Sequence, residues 1–185
     1  MGKVGIVIIV VLVLAGLVGC GQYNKLVNLD ESIDSSWAQV ETVLQRRYDL
    51  IPNLVATVQG YAKHESGVFE EVTRLRSQWA SAQTPEAKIQ AANQLESTLS
   101  KLMVISENYP ELKANQNFIA LQDELSGTEN RIAVERRRYN ETVRDYNMAV
   151  RRFPAALFAG LLGFQKRDVY FEAAEGAQKA PQVKF

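Results

Sequence analysis

The chain reads as all-α: an N-terminal membrane segment leading into an antiparallel four-helix bundle with long helices, with three long helices as the rival arrangement. Three observations lead there. The stretch Val4–Cys20, VGIVIIVVLVLAGLVGC, is uncharged, with Lys3 before it and no acidic residue until Asp30. From Asn28 onward, apolar residues recur at three- and four-residue steps through four successive segments, the spacing of a helix with one buried face. The 185 residues hold only five prolines and eleven glycines, several of them where those stripes lapse. The expected domains are a membrane anchor or lipoprotein-type signal over 1–21, a helical bundle over 22–153, and an apolar segment with a C-terminal tail over 154–185.

Three readings compete for the first stretch. A membrane-crossing helix needs about 17–25 apolar residues, which the run reaches if Gly19, Cys20 and Gly21 are included and Tyr23 serves as an interfacial aromatic. A secretory signal, with a basic start and small residues before the cut, fits as well. The third is a lipoprotein signal: Leu17-Val18-Gly19-Cys20 resembles a lipobox and makes Cys20 a candidate for lipid attachment. Its competitor for Cys20 is an ordinary small apolar residue in a membrane helix. Lys3 against the later Lys25, Asp30, Glu31 and Asp34 favours a domain on the outer, periplasmic side of a bacterial membrane, held by a single N-terminal anchor.

The first bundle helix carries Ile33, Trp37, Val40, Leu44, Ile51, Leu54, Val58 and Tyr61 in one stripe, with Arg47 interrupting it and Tyr48 beside it. Pro52 lacks an N–H, but the stripe keeps its phase on both sides, so one kinked helix is expected rather than two. No strong breaker separates this helix from the apolar run. A stop is expected near His64-Glu65-Ser66-Gly67, with Ser66 capping a second helix through Val68, Val72, Leu75 and Trp79. Thr84-Pro85-Glu86 is a helix start, followed by Ala87, Ala91, Leu95, Leu99 and Leu102. Residues 106–110 read as a loop. The longest stripe runs from Phe118 through Leu125, Ile132, Tyr139 and Tyr146 to Phe153, a helix of roughly 54 Å ending at Pro154. Thr128, Asn130, Asn140 and Asn147 lie in or beside it, and buried amides there can fix register. Residues 155–164, AALFAGLLGF, are too few to span a bilayer. They either pack over the bundle end or form a contact surface for lipid or a neighbouring subunit, with Leu157, Phe158, Leu161, Leu162 and Phe164 as its candidates. Ala173–Phe185 reads as loosely ordered or extended.

Catalytic chemistry finds little support. His64 is the only histidine, read as a solvent-facing residue at a helix end. One cysteine excludes an internal disulfide and a thiol-rich metal site. No phosphate-binding glycine loop occurs, nor the Glu-x-x-His pair a di-iron bundle uses. Arg136-Arg137-Arg138 is flanked by Glu135 and Glu141 and reads as a solvated face. The 21 basic and 21 acidic residues cancel, which removes the simplest electrostatic case for nucleic acid. No catalytic, cofactor-binding or metal-binding residue is assigned, and no cofactor is expected.

Several segments resemble the LemA family of bacterial membrane proteins. They are Tyr23-Asn24, Leu29-Asp30-Glu31, Trp37-Ala38-Gln39-Val40-Glu41, Leu44-Gln45-Arg46-Arg47 with Asp49-Leu50-Ile51-Pro52-Asn53-Leu54-Val55, and Gly60-Tyr61-Ala62. Further on come Tyr109-Pro110-Glu111-Leu112-Lys113-Ala114-Asn115, Leu121-Gln122, Glu124-Leu125, Thr128-Glu129-Asn130-Arg131-Ile132, Tyr139-Asn140, Tyr146-Asn147, Gly163-Phe164 and Phe171. The resemblance spans Tyr23 to the C-terminus. It implies an N-terminal membrane segment followed by a helical bundle and brings no established activity. It also implies a short outer N-terminus and a cytoplasmic domain, opposite to the flanking charges.

The expected function is a non-enzymatic, membrane-anchored bundle of the bacterial cell envelope, acting as scaffold or adaptor. Its expected partners are the lipid bilayer and further copies of itself or another envelope protein. An envelope module that binds a ligand or peptide is the alternative.

Overall fold

A computed structural model describes residues 2–62 and 65–172. The described residues form six helices and no strand: α1 (Lys3–Gln59), α2 (Ser66–Ser81), α3 (Pro85–Ser106), α4 (Pro110–Lys113), α5 (Gln116–Arg151) and α6 (Ala155–Phe158). His64 and Ala173–Phe185 lie outside the described residues, so the expectations placed on them are not addressed. Two compact units divide the chain: the described parts of Met1–Ala38 with Arg138–Tyr170, and of Gln39–Arg137 with Phe171–Phe185. α1 and α5 each contribute to both.

α1 is a single helix of 57 residues, which at 1.5 Å per residue is about 86 Å long. Its first part, through Val18, leaves its large apolar side chains exposed, and it is long and apolar enough to cross a membrane. Burial begins at Leu26 and settles onto one face with Ile33 and Ser36. Ser36 satisfies its own hydroxyl by donating to the Ile33 carbonyl at 2.9 Å. In the same unit the Trp37 ring meets Tyr139 of α5 edge-on, 5.6 Å between centroids. After Arg151 the chain turns through a cis Phe153–Pro154 peptide into the single turn of α6.

In the other unit, Val40, Leu44, Ile51, Leu54 and Val58 of α1 continue the buried face. Pro52 sits inside the helix with its ring exposed, and the buried phase survives on both sides of it, as the stripe predicts. α2 and α3 pack on one another across the link at residues 82–84, burying Phe69, Val72, Leu75 and Trp79 against α3's apolar face. Thr84 caps α3 as its sequence indicates, its hydroxyl accepting from the Ala87 N–H at 3.2 Å with Pro85 first in the helix. α2 starts differently from the expectation: Ser66 is already helical and Glu65 holds the cap position, without a side-chain bond. The expected loop at 106–110 falls between α3 and α4, and α4, which follows it, is too short to leave a periodicity and buries Leu112.

Asn115 explains part of the Tyr109–Asn115 segment. Its side-chain oxygen accepts from the N–H groups of Asn117 and Phe118 at 2.9 and 3.1 Å, capping α5, while its amide nitrogen donates to the Tyr61 hydroxyl at 3.0 Å. One side chain thereby starts α5 and ties it to the residues that follow α1. Asn115→Ala is expected to lower unfolding stability by about 1–2 kcal/mol in urea titrations, and Asn115→Asp, which keeps the cap but loses the donor to Tyr61, by less.

Candidate functional site

The apolar stripes carry charged residues in phase with them. Arg47 lies between Leu44 and Ile51 of α1, Glu96 between Ala92 and Leu99 of α3, and Glu129 and Arg136 flank Ile132 of α5. Helical spacing therefore turns Arg47 into the core and sets the other three at its half-buried edge. Arg47 is only 7% exposed. Its guanidinium lies 2.7 Å from a Glu129 carboxylate oxygen and 3.9 Å from Glu96, while Arg136 donates to Glu96 at 3.1 Å. Cations and carboxylates thus alternate across α1, α3 and α5. Arg136 also lies over the Phe171 ring, 5.1 Å from its centroid. The reading of residues 136–138 as a solvated face fails for Arg136 and holds in exposure for Arg137 and Arg138, because each step along a helix rotates the side chain by about 100°.

An aromatic pair adjoins this layer. Tyr48 stacks on Trp79 with 4.1 Å between centroids and 17° between planes, and Lys88, paired with Glu41, lies over the Trp79 ring at 5.2 Å. Burial pushes the Tyr48 hydroxyl above the ordinary tyrosine range, against the opposing pull of Arg47 and Arg136. No hydrogen-bond partner for that hydroxyl occurs among the described residues, nor for Arg47 Nε or the Trp79 indole N–H. Beside the layer lies an open cleft of about 420 Å³, lined by Arg47, Glu96, Met103, Gln122, Leu125 and Glu129. It offers guanidinium donors and carboxylate acceptors already engaged with one another. Among the described residues no group of three or more His, Cys, Asp or Glu side chains is placed to hold a metal ion.

The second candidate region is in the other unit, and the residues named from sequence belong here. Cys20 is exposed on α1. Leu157, Leu161 and Leu162 are exposed, while Phe158 and Phe164 are half-buried. Ala155 and Ala159 pack on Leu26, joined by Ala149, Val150 and Phe164. The Phe164 ring meets Tyr23 at 5.7 Å. The 155–164 segment therefore packs with one face and exposes the other. Asn147 holds the chain beyond it. Its amide nitrogen donates to the Arg167 carbonyl at 2.7 Å and the Tyr170 hydroxyl at 2.8 Å, and its oxygen accepts from the Arg167 N–H at 2.9 Å. Tyr146 donates to the Gln165 carbonyl at 2.9 Å, and Arg167 reaches Asp30 at 2.9 Å, which keeps the guanidinium charged. Burial, then the nearby Asp30 carboxylate, raise the Tyr146 hydroxyl pKa. Asn147 thus ties the helix to the C-terminal segment rather than to another helix amide. The charged layer was missed from sequence. Its signal was there: oppositely charged residues in the phase of apolar stripes on different segments.

Two measurements test the layer. In a double-mutant cycle with Arg47→Met and Glu129→Gln, a coupling of about 1–3 kcal/mol is expected, and the double mutant is more stable than Arg47→Met alone. Tyr48→Phe removes an unpartnered buried hydroxyl and should leave stability at pH 7 unchanged or raised by up to about 1 kcal/mol. Above about pH 10 the unfolded chain loses the tyrosine proton while folded Tyr48 keeps it, so wild-type stability falls with pH and the Phe variant falls less steeply in urea titrations.

Comparison with known proteins bears on the whole chain. Magnetosome protein MamQ of Magnetospirillum gryphiswaldense is 23% identical over 84% of this chain, and magnetosome protein MamQ 2 of Paramagnetospirillum magneticum is 24% identical over the same share. The chain spans 66% of the length of each. Protein LemA of Metamycoplasma hominis is 24% identical over 84% of this chain and 71% of its own. The sequence model of the LemA family matches residues 36–185, which include the charged layer, the Asn115 cap and the Asn147 clasp, and the chain belongs to the LemA family.

Proposed function

We propose that this protein is a non-enzymatic, membrane-anchored scaffold or adaptor of the bacterial cell envelope that self-associates. In this reading α1, α2, α3 and α5 are the four helices of an antiparallel bundle. The three-residue link between α2 and α3 and the reversed order of partners between α1 and α5 within a unit (Arg46 with Glu124, Tyr61 with Asn115) support that arrangement. One observation carries the reading: a single unbroken helix, Lys3–Gln59, supplies both an apolar stretch exposed on its large side chains and the buried face of a packed core. A helix satisfies its backbone internally, so it can pass from hydrocarbon to water without a break. The engaged charges of the layer, and relatives whose names describe no reaction, fit a protein without catalysis. The alternative, an envelope module binding a ligand or peptide, draws on the cleft beside Arg47, whose Nε has no partner among the described residues.

Alkaline carbonate extraction tests the anchor. The full chain is expected to stay in the membrane pellet, and a chain lacking residues 1–21 to be extracted with its helix content retained by circular dichroism. Mass spectrometry of the mature N-terminus separates the two kinds of anchor: a lipid-modified Cys20 means cleavage after Gly19 and an outward-facing domain, whereas an intact start means a retained helix. Light scattering of the detergent-extracted protein should report more than one copy per particle; a strict monomer would count against self-association. Peptide capture abolished by Arg47→Met but kept by Arg46→Met would favour the alternative.

A further inference from the structure

We propose that residues 153–164 dock into the headgroup layer of an anionic bilayer beside α1, giving the protein a second membrane contact built from its C-terminal segment. The inference rests on the membrane-anchor reading above and adds a site to it.

Position is the first argument. The segment's inner face is fixed to α1 at Tyr23 and Leu26, through the Tyr23–Phe164 ring contact and the packing of Ala155 and Ala159 on Leu26. Those two residues lie three and six positions beyond Cys20, or about 4.5 and 9 Å along the helix. Val4–Cys20 spans about 26 Å of helix, close to the roughly 30 Å of a bilayer's hydrocarbon core. A segment attached within 9 Å of its end therefore lies at the depth of the lipid headgroups.

The second argument is what faces outward there. Phe153 is 81% exposed, Leu157 62% and Leu161 87%, so three large apolar side chains sit in the open on a segment that turns Ala155 and Ala159 toward the protein. In water this arrangement forfeits burial. At a bilayer interface it presents the insertion face of an interfacial segment.

Charge is the third. Lys25, Arg151 and Arg152 are exposed beside the apolar face, and no carboxylate among the described residues pairs with them. Nearby, Arg167 pairs with Asp30, Lys166 with Asp168 and Arg144 with Asp145, and the acidic residues Glu31 and Asp34 lie further along α1 from the apolar run than Lys25. Lys25, Arg152, Phe153 and Pro154 also line a cleft of about 410 Å³ in this unit, whose one carboxylate, Asp145, is paired with Arg144. Cations left over next to exposed apolar groups match phosphate-bearing lipid. A second copy of this chain would offer the same cations and repel them.

The test uses the full chain in vesicles, with Cys20→Ser as background. An environment-sensitive fluorophore is placed at Leu12→Cys in one protein and Leu161→Cys in another. Quenchers are lipids carrying nitroxides deep in the acyl chain or near the headgroup, and aqueous iodide. The expected result is deep quenching at 12 and shallow quenching at 161 in phosphatidylcholine vesicles containing phosphatidylglycerol. Charge removal by Lys25→Gln or Arg152→Gln should lower the docked-to-undocked ratio at 161 about fivefold per residue while 12 stays unchanged. A probe at 161 open to iodide while 12 is quenched by lipid overturns the docking and leaves the anchor standing. A probe at 161 shielded from iodide but untouched by lipid nitroxides overturns it in favour of protein contact. Loss of deep quenching at 12 overturns the anchor reading and the docking with it. Leu161 is exposed, so labelling it leaves the packed face intact, which circular dichroism checks.

Discussion

α1 carries one uninterrupted backbone ladder from Lys3 to Gln59 through two environments that make opposite demands on its side chains. Up to Val18 its large apolar side chains stand exposed, and from Leu26 the buried positions keep to one face. Both demands are compatible with a helix because its polar backbone groups bond within the element itself and ask nothing of the surroundings. Pro52 fits this helix because its ring falls on the exposed side and leaves the buried positions on either side in phase. In one unit α1 meets its neighbours at Leu26 and Asp30, and in the other it buries Leu44, Leu54 and Val58 and pairs through Arg47.

Apolar burial supplies the bulk of cohesion in such a fold, but it discriminates poorly between neighbouring registers of similar stripes. The polar contacts supply that discrimination. The Arg47–Glu129 and Glu96–Arg136 pairs meet only when three helices are aligned, and a slip by one turn would leave the buried Arg47 guanidinium without its carboxylates. Desolvation makes such pairs a modest source of net stability and a large source of cost when mismatched. Asn147 and Asn115 act in the same way with amides, each using both donor and acceptor atoms on groups far away in sequence. The segments that resemble the LemA family therefore contain many of the residues that pin one element to another, which is how a family can be recognised while its chemistry stays silent.

Helices and their ends were legible from local rules. Thr84-Pro85 marks a cap and a first helical residue, and the three- and four-residue steps along α5 carry the stripe through 36 residues with no proline inside. Elements below the length of a stripe were not legible: α4 spans four residues, and no periodicity can be read from a single turn. The candidate contact surface at 155–164 was half legible. Composition marked it as apolar, but only the structure assigns Ala155 and Ala159 inward and Leu157 and Leu161 outward. Arg136 was misplaced because a run of three arginines looks solvated until the helix phase is followed residue by residue.

By itself the sequence determined the helical class, the apolar N-terminal stretch, and the inward faces of the long helices, since these follow from hydrophobicity at a fixed spacing of 3.6 residues per turn. The tertiary structure decided which charges meet, which amide holds which strand of chain, and where the C-terminal segment lies relative to the end of the apolar run. Those depend on contacts between residues as distant as Asp30 and Arg167, and no local propensity encodes a partner 137 positions away.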